Sequence, residues 1–462
     1  MRYKQIAEQV IEDIQNGKLA KGSRMPSLRK MANLNKVSLT TAQNAFHLLE
    51  EGGWLLAKPQ SGFFVTMPFV ETTLPTMPQF SSKAIAPNDN HPLELNAKPG
   101  PLGVSQLAPC HIPYEAFKRS MKRAANQLGN DIHFYPEAKG LVNLRKAVSH
   151  QFLQYGFPFQ ADELVVTNGC IDAIRFCLET TTKAGDAVAI SSPCFNGIID
   201  LLYELNRQVI EIPCLPEGID LDQFEWHLKR HSVQAGLFST SHMNPQGISL
   251  SIEQKKRLAV LANQYKTPVI EDDVYFELSH AKVPPLPAKY WDKNGYIMWC
   301  NSISKTLSAA LRVGWCLPGR FIQAYNRASS TARLGINSHA QAAIADFINT
   351  GQYTKHLKIL RLTLRQQVQE YRNLILKLFP SDTAISAPEG GMVLWIQLNN
   401  FCHKTFTVLV AAANIDLRLG ANFTTLDLYN DCIRVNCGWP LDDKIKNQLT
   451  ELAELILRSQ LK

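Results

Sequence analysis

The sequence predicts two folded parts in tandem: a small winged helix-turn-helix unit and, behind it, an α/β unit on a mostly parallel sheet. Three observations carry this. Residues 1–66 place three short helical patterns ahead of two strand-like runs. Beyond residue 160, β-branched runs of about five residues alternate with helical patterns, as in strand–helix–strand units. Between the two parts, residues 67–92 lose periodicity and gather Pro68, Pro75, Pro78, Pro87 and Pro92. At 462 residues the chain is also too long for one ordinary core.

Along the first part, Ile6, Ala7, Val10, Ile11 and Ile14 recur at helical spacing, and Asn16-Gly17 supplies a stop. Ser27, after Pro26, opens a short second helix through Leu28, Met31, Ala32 and Leu34. Ser38 reads as the cap of a third, Leu39 to Glu51, with Ala42, Ala45, Phe46 and Leu49 turned inward. The tight turn Asn35-Lys36-Val37 gives the layout of a helix-turn-helix, whose second helix offers its first residues to base edges. Trp54-Leu55-Leu56-Ala57 and Gly62-Phe63-Phe64-Val65 are expected to form a two-stranded wing. Residues 1–70 hold nine Lys and Arg against five acids, so half of the formal charge of +8 lies in under a sixth of the chain. A basic small unit suits a polyanion.

Residues 69–92 are expected to be a semi-extended linker that cannot bury enough apolar surface to order itself. After it, strands are expected at 163–167, 187–191, 208–212, 235–239, 268–272 and 296–300. Ligands of such sheets gather at the carboxyl ends of the strands, where the chemistry-bearing residues of this chain fall. Gly169 and the helix starting at Cys170 offer free backbone N–H groups that suit a phosphate. Phe195 offers an aromatic face for stacking. Asp272 ends an apolar strand, where a carboxylate is costly unless paired. Lys305 follows the last run, and a lysine amine captures a carbonyl when positioned and partly desolvated. Ser302, Ser304 and Arg312 around it make a phosphate seat.

No apolar run approaches the roughly 20 residues of a bilayer span, and the N-terminus lacks the apolar core of a secretory signal, so a cytoplasmic protein is expected. The 10 cysteines are scattered without paired ligand spacing. They are read as reduced, and no metal site is expected.

Ser302-Ile303-Ser304-Lys305 followed by Arg312 resembles the cofactor-anchoring segment of fold-type I enzymes that use pyridoxal 5′-phosphate (PLP), the aspartate aminotransferase relatives. Asn244-Pro245-Gln246-Gly247 is similar to their Asn-Pro-Thr-Gly, and Asp272-Asp273-Val274-Tyr275 to their Asp-x-x-Tyr. The resemblance implies the PLP-dependent transferase fold type I, with a large part at about 130–330 and a smaller C-terminal α+β subdomain at about 331–462. It implies that Lys305 forms the internal aldimine, that Gly169, Cys170, Ser302, Ser304 and Arg312 hold the phosphate, and that Phe195 stacks on the ring. Asp272 then pairs with the ring nitrogen, while Asn244 and Tyr275 meet the phenolate oxygen. Tyr135 resembles the tyrosine that reaches the phosphate from a neighbouring subunit, which implies a homodimer. Arg434, in Cys432-Ile433-Arg434-Val435-Asn436, resembles the arginine that forks onto a substrate carboxylate.

In the first part, Gly22 to Arg29, Val37 to Thr41 and Gly62 to Val65 together resemble the GntR-type winged helix. This implies that Arg29, Ser38, Thr40, Thr41 and Gln43 face DNA, with Arg24, Lys36 and Lys58 on phosphates. The chain departs from the pattern at Leu39, where many relatives carry arginine, and a leucine cannot donate to a base or a phosphate. A head at 1–68 joined to a PLP domain at 93–462 resembles the MocR-type transcriptional regulators. That implies double-stranded operator DNA as a partner and an amino-acid-like ligand, or PLP itself, sensed at Lys305. The same parts would serve an active aminotransferase with an ancillary head, and both readings stand on the sequence.

Overall fold

The computed structural model describes residues 2–16, 18–20, 22–58, 61–66, 73–87, 100–281 and 283–460. The chain divides between Thr72 and Thr73 into two compact units.

The N-terminal unit carries α1 (Arg2–Gln15), α2 (Leu28–Leu34) and α3 (Leu39–Glu51). Both expected caps are present. The Ser27 hydroxyl accepts from the Lys30 N–H at 3.3 Å, and the Ser38 hydroxyl from the Thr41 N–H at 3.1 Å. Each satisfies a backbone donor that helix geometry leaves without a partner. Ile6, Ala7, Val10 and Ile14 of α1 share one core with Ala42, Ala45, Phe46 and Leu49 of α3. Phe46 meets Phe63 edge-on at 4.9 Å, which ties α3 to the wing. The wing pairs β1 (Leu55–Lys58) with β2 (Gly62–Val65) antiparallel, Leu55 opposite Val65 and Lys58 opposite Gly62.

In the second unit, nine strands form one sheet among the described residues: β3 (Ala84–Ile85), β4 (Val165–Thr167), β5 (Ala187–Ser192), β6 (Gln208–Leu215), β7 (Gly218–Ile219), β8 (Ala235–Ser239), β9 (Val269–Asp272), β10 (Ile297–Ser302) and β11 (Gly314–Leu317). Their order is β3-β6-β5-β8-β9-β10-β11-β4, with β7 paired to β6. Strands β6, β5, β8, β9 and β10 run parallel to their neighbours in that set. Strand β11 is antiparallel to both β10 and β4, so β4 points the same way as the parallel set. Burial on both faces explains why these strands read as nearly continuous apolar runs. The sequence pattern does not announce β11, four residues long and opening on a glycine.

A second sheet, order β12-β13-β15-β14, is antiparallel and comprises β12 (Ala384–Ile385), β13 (Val393–Gln397), β14 (Arg418–Leu419) and β15 (Cys432–Asn436). Val368, Tyr371 and Ile375 of the helix Gln352–Leu378 share its core with Leu394, Ile396, Ile433 and Val435, and with Leu449, Leu452 and Ile456 of the helix Asp443–Arg458. This is the smaller α+β subdomain.

The linker expected at 69–92 is shorter than the sequence suggests, because residues 73–87 lie on the second unit. The Thr73 carbonyl accepts from the Ile385 N–H at 3.0 Å, and Gln397 Oε1 accepts from the Thr76 N–H at 2.8 Å. Further along, Gln223 donates to the Phe80 carbonyl at 2.9 Å and accepts from the Ser82 N–H at 3.0 Å, and β3 pairs antiparallel with β6. The segment builds no core of its own, and its backbone is satisfied by edges the large unit supplies. The rest of the expected linker, 69–72 and 88–92, lies outside the described residues. No helix of the described residues is long and apolar enough to cross a membrane.

Removing the α3 cap tests the account of the N-terminal unit. Ser38→Ala should destabilise that unit by about 1 kcal/mol. The expected readout is faster amide exchange at Thr41 and along α3, with exchange in the second unit unchanged.

Candidate functional site

The parallel direction of β4, β5, β8, β9 and β10 brings Thr167, Ser192, Ser239, Asp272 and Ser302 to one edge of the sheet. Arg312 comes to the same edge from the other direction, since Gly314 opens β11 opposite Ser302 and Thr167. Along this edge lies an inner cavity of about 170 Å³ whose walls include Asp272, Asn244, Tyr275, Phe195, Lys305 and Arg312. Cys170, Ser302 and Ser304 also line it. A wider outer cavity of about 800 Å³ shares Phe195, Lys305 and Arg312 with it and adds Gly103, Arg418 and Arg434. Most of the residues singled out from separate stretches of sequence therefore meet in one place.

Asp272 is 7% exposed, and burial pushes its carboxyl up to about 6, against the opposing pull of the Cys170 thiol and of Lys305. The Cys170 Sγ donates to Asp272 Oδ1 at 3.4 Å. Sequence reasoning assigned Cys170 only its backbone, whereas its thiol is a side-chain donor to this carboxylate. Lys305 Nζ donates to the Ser105 carbonyl at 2.6 Å and lies 5.9 Å from the centre of the Tyr275 ring. Tyr275 and Ser105 exchange a hydrogen bond through their hydroxyls at 2.7 Å. Ser105 is thus a site residue that sequence reasoning missed. It follows the proline-rich stretch in a segment without periodicity, where no motif marks it.

The helix Cys170–Thr181 begins after Gly169, whose φ of +87° favours glycine. A Cβ at Gly169 would sit 2.4 Å from Arg312 Nη2, so the missing side chain is what lets the guanidinium approach the helix start. Arg312 donates to the Asn168 carbonyl at 2.9 Å, and the Ser304 N–H donates to the Ser302 hydroxyl at 3.3 Å. A helix N-terminus, a guanidinium and two hydroxyls form a seat for a dianion.

In the outer cavity, Arg434 is buried in the middle of β15, opposite Trp395 on β13 and Arg418 on β14. Its Nη1 donates to Asn244 Oδ1 at 3.0 Å, and its Nη2 donates to the Gly103 carbonyl. Arg418, which the sequence did not suggest, lines the same cavity and is paired with Asp416. The whole arrangement can hold an anionic group at the helix start, a basic nitrogen at Asp272, a carbonyl carbon near the Lys305 amine and a carboxylate beside Arg434.

Tyr135 does not join these residues. It is 81% exposed, in the stretch between the short helix Gly129–His133 and the helix Val142–Leu153. The fold also gathers three cysteines that sequence spacing left unconnected: the Sγ atoms of Cys177, Cys300 and Cys316 lie 3.6 to 3.8 Å apart in the core behind the site. Burial raises the thiols of Cys177 and Cys300.

In the N-terminal unit, Arg24, Arg29, Lys36, Ser38, Thr40 and Gln43 are exposed, and Thr41 is half-buried. The Ser38 and Thr41 hydroxyls hydrogen-bond each other at 2.8 Å while Ser38 caps α3. Those two hydroxyls are therefore engaged in holding the start of α3, which leaves Thr40 and Gln43 as exposed polar residues of its first turns, with Arg29 exposed on α2. Lys36 takes a left-handed φ of +50° in the turn, and Leu39 is 49% exposed at the first position of α3. Arg24 bridges Phe64 of the wing through its backbone. Lys58 ends β1, and its side chain lies outside the described residues.

Residues 103–451 match the family described as aminotransferase class I and II, and residues 2–65 match the bacterial regulatory proteins of the gntR family. The chain is 30% identical to the uncharacterized HTH-type transcriptional regulator YdcR of Escherichia coli, over 98% of this chain and 99% of that protein. It is 28% identical to a second such regulator of E. coli, YjiR, over 99% of both chains. Among solved structures, the multiple substrate aminotransferase of Thermococcus profundus superposes with a TM-score of 0.71 at 22% identity, covering 77% of this chain and 91% of that one. That likeness shows the fold.

The buried carboxyl gives a pH test. With its folded value near 6, above the unfolded value, Asp272 binds its proton more tightly in the native state. Stability of the cofactor-free protein therefore falls as pH rises through roughly 4 to 6, and the full cost stands above that window. Asp272→Asn removes the cost. Urea unfolding should find the cofactor-free variant more stable at about pH 7.5, by on the order of 2–3 kcal/mol at most, with the advantage shrinking toward pH 4.5.

Proposed function

The chain belongs to the aminotransferase class I and II family, joined to a gntR-family head as in the MocR-type transcriptional regulators, and on that premise we propose that it is a PLP-binding regulator whose large unit senses an amino-acid-like ligand and whose head binds operator DNA in the cytoplasm. The observation that carries the reading is the meeting of Lys305, Asp272 and Arg312 in one cavity. The residues fit the cofactor. Gly169 keeps open the approach of Arg312 to a helix start that a side chain would close, and Asp272 is an acid whose burial calls for a cationic partner. When bound, PLP supplies an electron-withdrawing ring and an aldehyde that condenses with amines.

Each residue then has a task. Arg312, Ser302, Ser304 and the N–H groups after Gly169 grip the phosphate, and Asp272 holds a proton on the ring nitrogen. Phe195 covers one face of the ring. Tyr275 and Asn244 orient the phenolate oxygen, Lys305 carries the reactive amine, and Arg434 receives the ligand's carboxylate. Tyr135, exposed in its own chain, serves the phosphate seat of a second copy in a homodimer. At the head, Arg29, Thr40 and Gln43 face bases, while Ser38 and Thr41 fix the start of α3. Arg24, Lys36 and Lys58 meet phosphates.

A second reading, an active aminotransferase, draws support from Lys305, the amine that could move a proton, sharing the outer cavity with Arg434. Turnover separates the two: a keto-acid-dependent assay over the common amino acids should give no sustained cycles from a sensor and many from an enzyme.

Two outcomes are expected of the regulator. Lys305→Ala, reconstituted with PLP, should lose the visible absorbance of the protein-bound cofactor; retention of that band would sink the lysine assignment. In gel-shift titrations, binding to the DNA upstream of its own gene should weaken steeply with salt, because phosphate contacts displace counterions. Absence of binding even at low salt would remove the DNA half of the proposal.

A further inference from the structure

The start of α3 presents one side chain that hydrogen bonding to a nucleic acid does not account for. Leu39 is the first residue of the helix, and it is exposed. It stays out of the core of the N-terminal unit, which Ala42, Ala45, Phe46 and Leu49 enter from the same helix. Gln43 follows it one turn on along the same side of α3, and Thr40 and Asn44 are exposed beside them. Neither α2 nor α3 carries an acid in its first turn, while Arg29, Lys30 and Lys36 are exposed on α2 and in the turn that follows it. Such a surface is complementary to a polyanion, and a leucine on it calls for a partner of another kind.

Position sets Leu39 apart from the other exposed leucines of the unit. Leu34 closes α2, and Leu48 lies about 13 Å further along α3. The part of a helix-turn-helix that reaches base edges is the start of its second helix, where Leu39 stands. The cap bond from the Thr41 N–H to Ser38, with the bond between their hydroxyls, fixes the backbone there.

In the major groove, guanine, adenine and cytosine offer nitrogen and oxygen atoms that donate or accept, and the 5-methyl of thymine is the only apolar group on a base edge. A leucine side chain has no donor and no acceptor. Set against guanine, adenine or cytosine, it strips water from a polar edge and returns no hydrogen bond, which disfavours those bases. Set against thymine, methyl meets methyl and both leave water.

We propose that Leu39 is a specificity-determining residue of the head, recognising the 5-methyl group of a thymine in the major groove of double-stranded DNA, while Thr40 and Gln43 read neighbouring base edges by hydrogen bonds. The inference rests on the reading that the head binds DNA, and it deepens that reading by naming the base and the group on it.

The test selects duplexes from a random library with the full-length protein, as wild type and as Leu39→Ala. Gel shifts on the enriched sequence then replace each thymine in turn by uracil, which removes the methyl and nothing else. One thymine is expected whose replacement weakens the wild type roughly three- to fivefold, the effect of one buried methyl. Leu39→Ala should bind the thymine duplex more weakly by a similar or larger factor and be indifferent to uracil at that position. Both proteins should show the same salt dependence, because no phosphate contact is lost; damage to the folding of the head would flatten that slope. Absence of a uracil-sensitive position, an equal uracil penalty in Leu39→Ala, or a change in self-association with DNA affinity intact would each overturn the proposal. If neither protein retains DNA even at low salt, the DNA-binding reading fails and this inference with it, whereas retention without methyl dependence refutes this inference alone.

Discussion

A carboxyl group kept out of water is the constraint on which the large unit depends. Asp272 stands at the end of β9, flanked in register by Ser239 of β8 and Cys300 of β10, so the middle of the sheet delivers it to the edge and closes protein around it. A buried carboxylate resists ionisation unless a positive group comes close. Cys170 gives it one hydrogen bond, and Lys305 exerts an attraction from across the cavity, yet burial remains the larger influence on its proton. The cofactor-free protein therefore holds an unfavourable group, which the cationic ring nitrogen of the proposed cofactor would relieve. The free energy that burial costs this carboxyl would add to the affinity for a ligand of the right charge.

The same logic orders the surroundings. Gly169 and Arg312 are each in backbone conformations with positive φ, and each allows the other: the glycine lacks the atom that would strike the guanidinium. Left-handed backbone costs little at a glycine and more at an arginine, so the strain collects where an anion would repay it. At the far side, Tyr275 and Lys305 both lean on Ser105, a residue from the stretch that precedes the helices of the large unit. Ser105 thus joins the segment before the sheet to the groups at its edge.

How much of this the sequence disclosed depends on whether the signal was local. The caps at Ser27 and Ser38 and the wing pairing were legible because each rests on residues a few positions apart. The six parallel or co-directed strands were legible because burial on both faces forces an apolar run. Strand β11 escaped notice because four residues carry no period, and it is made a strand by β10 and β4 on either side. The segment 73–87 was read as a free tether because its composition cannot build a core; what composition does not reveal is that Gln223, Ile385, Gln397 and β6 offer it partners. Ser105 and Cys177 failed to show for the same reason, since their partners lie more than 100 residues away along the chain.

Arg434 bears on whether the site senses or turns over. A surface arginine could accept a carboxylate at little cost, but this one already donates to Asn244 and to the Gly103 carbonyl. A ligand carboxylate must displace or share those bonds, and both partners belong to pieces of chain with further attachments. Asn244 belongs to the loop after β8, and Gly103 lies two residues before Ser105, on which Lys305 leans. On the proposed reading, a ligand on the arginine would compete with bonds that tie these two pieces of chain together. A ligand shifts a conformational equilibrium only by the difference in its interaction with the two states. On the proposed reading, an arginine already hydrogen-bonded to Asn244 and to the Gly103 carbonyl would supply such a difference, because the ligand-free arrangement has contacts of its own to lose.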